Sequence, residues 1–515
     1  MVNILDRACR SHPDRAIFNL DAELPYPNLR GPAVTPRLLR QFADQMGVVL
    51  RHAGLGRHDR VAIYKTNAPD YFFLATAVIR AGGVAVPVNP NMPLEALRYH
   101  LDNTGATLLI TDRATFETAI GDPAELPGVR GFLFTDTAAD CPGVLSVELP
   151  RALVDVDEDL VPVEPEPDDC VYIAHTSGTT GRPKGVVATA GSVLASIRRY
   201  YLDEPVTLNN VNAVAAHYSH IVYHTGFLSV VGAGYRTHTI TRLDPKHVLG
   251  VLDRERVTIF FAFPDVYQAL YRHGFDGFDL SAVRIWVATA APSNDAIMAA
   301  FARRGAYLRL FGRPVIRSVF LDILGSSEIS FSALRRVRLT RWRTRLDRAA
   351  GRPVPAGPGV RVVDQHGRAA PVGAAGYLEV RGPTLFAGYW LDGRVIGQVD
   401  AEGWWRTGDI VSRDRWGGYR HLDREVDVIA TADGPEYTLP LGGGLISHPD
   451  LSLAAGVGGP APGGAMPRTR WRGPPPGAPR PPRGSPGGPP PGRPALGQGG
   501  RSARRMRVPP NQIRH

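Results

Sequence analysis

Residues 171–187 read VYIAHTSGTTGRPKGVV, and no other stretch restricts the possible folds as strongly. The apolar run 171–174 predicts a buried strand, which delivers a loop holding Thr176, Ser177, Gly178, Thr179, Thr180 and Gly181. Glycines, lacking Cβ, let backbone N–H groups close on an anion, and Gly185 extends that set. Lys184 adds a compact positive charge suited to a polyphosphate. A helix is expected to follow from near Ser192. The loop is not a Walker motif: Pro183 stands where that motif needs its second glycine, and Gly185 where it needs Ser or Thr.

Around this loop, short β-branched runs alternate with helical patterns, as in parallel βαβ units. Residues 60–64, 84–88, 107–111, 257–261 and 283–288 predict core strands, and 70–80 predicts a helix. From about 351 the texture changes, with strands at 359–364 and 376–381 separated by Gly/Pro turns. The expected fold is α/β: a large N-terminal domain of parallel αβα-layered sheets with a small antiparallel β subdomain. Residues 162–169 (PVEPEPDD) read as a surface connection.

A chain of 515 residues exceeds one hydrophobic core, so at least two domains are expected. The apolar stretch 71–88 is broken by Arg80, Gly82 and Gly83, which argues against a membrane span. The opening MVNILDRACRSHPDR lacks the order of a secretory signal. Cys9, Cys141 and Cys170 are too scattered for a disulfide framework or a metal cluster. The chain reads as cytoplasmic. The net charge of +10 comes from residues 459–515, which hold 11 Arg, 16 Pro and 12 Gly and no Asp, Glu or Lys. Without them, 48 basic residues face 49 acidic ones, so the body has no cationic excess for nucleic acid. A Pro/Gly/Arg segment of this kind is expected to be disordered.

The run 176–185, TSGTTGRPKG, resembles the phosphate-loop signature of the adenylate-forming superfamily of acyl-CoA synthetases, adenylation domains and luciferases. Further segments in the same order are similar to that family's motifs: YHTGFL at 223–228, TAAP at 289–292, LGSSE at 324–328, GWWRTGD at 403–409 and DREVDVI at 423–429. The resemblance implies residues 1–350 as the adenylate-forming core and 351–422 as a β-rich part completing the nucleotide site. It further implies 423–458 as the hinge and an incomplete C-terminal lid, ahead of the 459–515 tail.

The implied reaction is attack of an acid's oxygen on the α-phosphate of ATP, with Mg²⁺ as cofactor. Loop residues 176–184 would take the β- and γ-phosphates, with Lys184 as a catalytic cation. Glu328 would be both a catalytic carboxylate and the Mg²⁺ ligand, since a hard cation prefers oxygen donors. Ala290, Ala291 and Pro292, with Leu324, Gly325, Ser326 and Ser327, would surround the adenine. Asp409 would accept the ribose hydroxyls and Arg424 would add a ribose or phosphate contact. His224 would line the acid pocket as a catalytic group, with His217 and His220 nearby as competitors for that role.

Beside Ser327 for the usual Thr and Ala190 where many members have His, the chain departs from the family pattern in three larger ways. Leu324 stands where an aromatic residue usually stacks on adenine, and Val426 where the hinge usually has a polar pivot. The lid's lysine is the third: Lys65, Lys184 and Lys246 are the only lysines. The leading expectation is an AMP- and pyrophosphate-forming ligase for a small, possibly aromatic acid in specialised metabolism, with coenzyme A or a carrier as candidate acceptor. The alternatives are a diazotase joining nitrite to an aromatic amine, and a nucleotide-binding protein without turnover.

Overall fold

The computed structural model describes residues 2–472 except 177–182, 204–209, 291–292, 331, 340–348, 356, 432–433, 440–454 and 460–467, all within one compact unit of residues 1–473.

Two large sheets carry the fold. In the first, Arg60–Ile63 lies between Val84–Pro87 and Leu108–Thr111, with Gly131–Phe134 and Leu145–Glu148 beyond, all parallel. Val84–Pro87, Leu108–Thr111 and Gly131–Phe134 are buried at every residue, the condition under which parallel strands become continuous apolar runs. On its other side Val84–Pro87 meets Cys170–Thr176, which turns back antiparallel as Lys184–Thr189 and then pairs with Gly388–Leu391.

The second sheet has a parallel centre in the order Phe18–Leu20, Arg236–Ile240, Val211–Ala215, Ile259–Ala262, Ile285–Thr289 and Val319–Gly325. Antiparallel strands continue it: Ser332–Arg338, Ala349–Pro353, Tyr419–Arg424, Trp405–Arg413, Ala375–Arg381 and Gly359–Val363. The antiparallel part expected after 351 is therefore present, and it extends the parallel sheet edge to edge.

Helices fill the space between the sheets. Every residue of Asp70–Arg80 is buried, and Ile221–Ala233 is apolar on nearly all sides, as befits core helices. Phe72 of the first lies 5.5 Å from Phe227 of the second, and Phe18 of the second sheet lies 5.0 Å from Phe227. Edge-on and tilted ring pairs at these separations add about 1 kcal/mol each beyond their area. Pro36–His52 starts where Thr35 accepts a hydrogen bond from Leu38 N and Pro36 takes the first turn, a local start signal in the sequence itself.

The strands expected from sequence are present, each within two residues of its anticipated ends. One expectation is corrected. The phosphate-loop region does not run directly into a helix: strand Lys184–Thr189 intervenes, and the helix begins at Ala190. The central Val186, Val187 and Ala188 are buried, and the β-branched pair Val186–Val187 marks this strand. Arg468–Arg472 pairs antiparallel with Ala455–Gly459, while 460–467 and everything after 472 lie outside the described residues. The hinge region holds a short 3-10 turn, Glu425–Asp427, with Val426 exposed, then the hairpin Ile429–Thr431 and Gly434–Glu436. Of the incomplete lid expected within 423–458, residues 440–454 lie outside the described residues. No helix among the described residues is long and apolar enough to cross a membrane.

Candidate active site

A cavity of about 200 Å³ lies on the face of the second sheet. Its floor is made by alternate residues of the parallel strands, including Ile259 and Phe261, Ile285 and Val287, and Leu321 and Ile323. Period-two alternation places these side chains on one face. Helix Ile221–Ala233 walls the cavity with Tyr223, Gly226, Phe227 and Val230, and Tyr200 and Tyr201 close another side. Most of this lining is apolar or aromatic. At the carboxyl ends of the strands, where open α/β sheets gather their ligands, the lining becomes Thr289, Ala290, Gly325, Ser326 and Ser327.

The turn after Ile285–Thr289 is held under strain. Ala290 has φ +79°, a conformation that costs a residue with Cβ about 1–2 kcal/mol. A buried ion-pair network anchors the chain just beyond it: Ser293 N donates to Asp322 Oδ2 at 3.2 Å, and Ser293 Oγ to Asp322 Oδ1 at 3.0 Å. Arg336 closes it, 2.8 Å from Asp322 Oδ2 and 2.9 Å from Asp295 Oδ1. Burial raises the Asp322 pKa, and the Arg336 guanidinium opposes that rise. Ala291 and Pro292, anticipated at the adenine, lie outside the described residues, as do loop positions 177–182.

Lys184 and Glu328 approach from different sheets and meet at Tyr389. Tyr389 Oη donates to Glu328 Oε1 at 2.9 Å, and Lys184 Nζ lies 5.1 Å from the centre of the Tyr389 ring, a cation–π contact. Phe386 N donates to the Glu328 carbonyl at 2.8 Å, so backbone and side chain are both pinned. Burial, then the charge of Glu328 and its hydrogen bond, raise the Tyr389 pKa against an opposing effect of Arg424, which keeps the phenol a donor. Thr176 pairs with Lys184 at the loop end of the hairpin. Gly185 serves packing here: a Cβ would stand 2.9 Å from Ile173 Cγ2 and 3.2 Å from Trp390 Cβ, so the adjacent strands could not approach.

Asp409 and Arg424 are direct cross-strand partners. Arg424 Nε lies 3.2 Å from Asp409 Oδ1, His421 Nε2 lies 3.1 Å from the same oxygen, and Arg424 Nη1 donates to the Thr407 carbonyl at 3.1 Å. Burial alone would raise the Asp409 pKa, but His421 and Arg424 outweigh it and the net shift is downward. The result is an ionised, buried acceptor.

His224, expected in the acid pocket, does not line the cavity. It is fully buried on the core side of its helix, donating from Nε2 to the Tyr218 carbonyl at 3.1 Å, with its ring 5.1 Å from Tyr172. Burial drives its pKa down to about 3, so the imidazole is neutral. Four residues earlier, at the helix N-cap, His220 faces the cavity against Phe263. Helical geometry rotates these two positions apart only slightly, but the cap residue sits outside the helix proper and turns to the cavity mouth. Leu324 also departs from expectation: it packs on the main core, while Leu321, Ile323 and Gly325 line the cavity. A bulge after Leu324 separates its orientation from Gly325. Sequence reasoning missed Tyr389 and His421, since neither sits in a motif; the aromatic run 389–390 before Leu391 is the sole hint of the first.

A family model described as AMP-binding enzyme matches residues 5–390. The chain is 27% identical to a feruloyl-CoA synthase from an Amycolatopsis species over 446 residues, 84% of this chain and 82% of that protein. It is 28% identical to a 3-amino-2-hydroxy-4-methoxybenzoate diazotase from Streptomyces cremeus, over 82% of this chain and 79% of that one. Its fold matches that of an anthranilate CoA ligase solved with anthranoyl-AMP, at TM-score 0.77 and 20% identity, covering 91% of this chain and 86% of that chain.

Proposed function

Since the chain belongs to the AMP-binding enzyme family, we propose that it is an ATP-dependent ligase that activates a small aromatic acid as its adenylate, releasing pyrophosphate. The observation that carries this reading is the aromatic-lined cavity ending at Thr289, Ala290 and Ser326. An acid seated there presents its carboxylate to the strand ends at which Glu328 and Tyr389 converge.

One carboxylate oxygen attacks the α-phosphorus of ATP, the bond to the β-phosphate oxygen breaks, and pyrophosphate leaves with the electron pair. Lys184 offsets charge on the departing phosphates, and Asp409 accepts the ribose hydroxyls with Arg424 holding it in place. Glu328 is a buried carboxylate of the hard-donor type that suits Mg²⁺, and Tyr389 orients it. Bound there, the ion would draw charge from the phosphate oxygens. His220 is neutral, its pKa driven to about 4 by burial, and offers a hydrogen bond at the cavity mouth.

A second reading, joining of nitrite to an aromatic amine by the same nucleotide chemistry, is supported by the relative named a diazotase. Pyrophosphate release from Mg²⁺-ATP, measured over aromatic acids and over aromatic amines with and without nitrite, separates the two. Release with an acid alone supports the ligase; release that requires nitrite replaces it with the diazotase. Absence of release across the panel overturns both.

A further inference from the structure

The cavity has a far end whose chemistry differs from its walls. Its lining runs along the strands from the level of Asn212, Ile259 and Ile285 to that of Thr289 and Ala290. From Ile285 to Thr289 the strand alone advances roughly 13 Å at about 3.3 Å per residue. That depth exceeds what a single benzoate ring needs and suits an aryl ring carried on an extended linker.

At the far level Asn212 and Thr237 are register partners on adjacent parallel strands, so their side chains stand side by side on the cavity face. Thr237 is fully buried, and among the described residues neither Thr237 Oγ1 nor Asn212 Oδ1 has a hydrogen-bond partner. Ile259 and Ile285, at the same level, offer none. Buried polar atoms in folded proteins are nearly always satisfied, so a polar pair left open inside an apolar cavity points to a partner that the described residues do not supply. An amide oxygen accepts, and a threonine hydroxyl both donates and accepts. A hydroxyl, donating to the amide oxygen and accepting from the threonine, satisfies both.

We propose that Asn212 and Thr237 form a specificity subsite for a phenolic hydroxyl at the distal end of an elongated aryl acid, whose carboxylate lies at the end near Thr289 and Ser326. This rests on the ligase reading and names its substrate class: hydroxylated arylpropenoic acids in preference to unsubstituted ones and to hydroxybenzoates.

The test uses the full chain with 4-hydroxycinnamate, cinnamate, 4-methylcinnamate and 4-hydroxybenzoate, reading kcat/KM for pyrophosphate release and, independently of turnover, acid binding by calorimetry. The expected result is a preference of about tenfold or more for 4-hydroxycinnamate over both cinnamate and its methyl analogue, with 4-hydroxybenzoate weaker still. Thr237→Val and Asn212→Leu, both close to isosteric, should each shrink the hydroxyl-to-methyl ratio toward one, while Thr237→Ser should keep it. Equal use of the hydroxyl and methyl acids, or a ratio unmoved in both variants, overturns the subsite and leaves the ligase reading standing. A chain that releases no pyrophosphate with any acid overturns the ligase reading, and the calorimetric ratio then decides the subsite by itself.

Discussion

Tyr389 joins the two sheets at the site: its hydroxyl donates to Glu328 Oε1 at 2.9 Å, while its backbone pairs with Val186 in the strand that begins at Lys184. Glu328 follows the last parallel strand of the second sheet, and Lys184 opens a strand of the first. One phenol thus sets the separation between a carboxylate and an ammonium that come from distant parts of the chain.

Glu328→Gln should lower kcat for pyrophosphate release by about a hundredfold or more, because a neutral amide is a poor Mg²⁺ ligand. Nucleotide binding measured without Mg²⁺ should change little. Tyr389→Phe keeps the ring under Lys184 but removes a donor to a charged group, a loss of about 1.5–3 kcal/mol. Its kcat should fall about tenfold, and an unchanged rate in both variants would remove this pair from the mechanism.

Arg336→Met should destabilise the fold by about 3–5 kcal/mol, since it strands Asp322 as an uncompensated buried charge. The strained Ala290 turn loses its anchor with it, so the KM for ATP should rise. The double variant Arg336→Met/Asp322→Asn should recover part of the stability in urea unfolding. Additive losses would contradict the network.

His220→Ala should raise the KM for the acid with a small change in melting temperature. His224→Leu should do the reverse, costing about 1–3 kcal/mol of stability through the lost Tyr218 bond and imperfect packing, with kcat/KM per folded molecule retained.

These two histidines also mark how far the site was legible from sequence. Strands 84–88 and 107–111 were readable because burial on both faces writes itself as an unbroken apolar run. Asp409 and Arg424 were singled out by the resemblance of segments 403–409 and 423–429 to family motifs, and the fold makes them direct cross-strand partners. The choice between His220 and His224 depends on where a helix begins. The helix Ile221–Ala233 is apolar nearly all round, so its periodicity carries no phase. Tyr389 was invisible for another reason: its role comes from long-range pairing with Val186, and no local pattern encodes a partner that distant.

Acid should unfold the chain early. Burial drives the pKa of His100 and His220 down to about 4, and of His175 and His224 down to about 3. The unfolded chain takes up these protons near pH 6.5 while the folded chain refuses them, so stability is full above about 6.5 and falls as pH drops toward 4. Each group contributes about 1.4 kcal/mol per pH unit inside that window. Unfolding free energies at pH 7 and pH 5 should differ by several kcal/mol, about 4 at the least. His224→Leu should reduce the slope by about one proton; a flat profile would mean these imidazoles are solvated.

The most direct test of adenylate formation is isotope transfer. An aromatic acid labelled with ¹⁸O in its carboxylate is incubated with the chain, Mg²⁺-ATP and hydroxylamine as acceptor, and the AMP is weighed. Attack of the carboxylate on the α-phosphorus predicts that the label appears in AMP and that an equal amount of hydroxamate forms. AMP or pyrophosphate released without label in the AMP would mean that water, not the acid, attacks the phosphorus, and the adenylate account would fail.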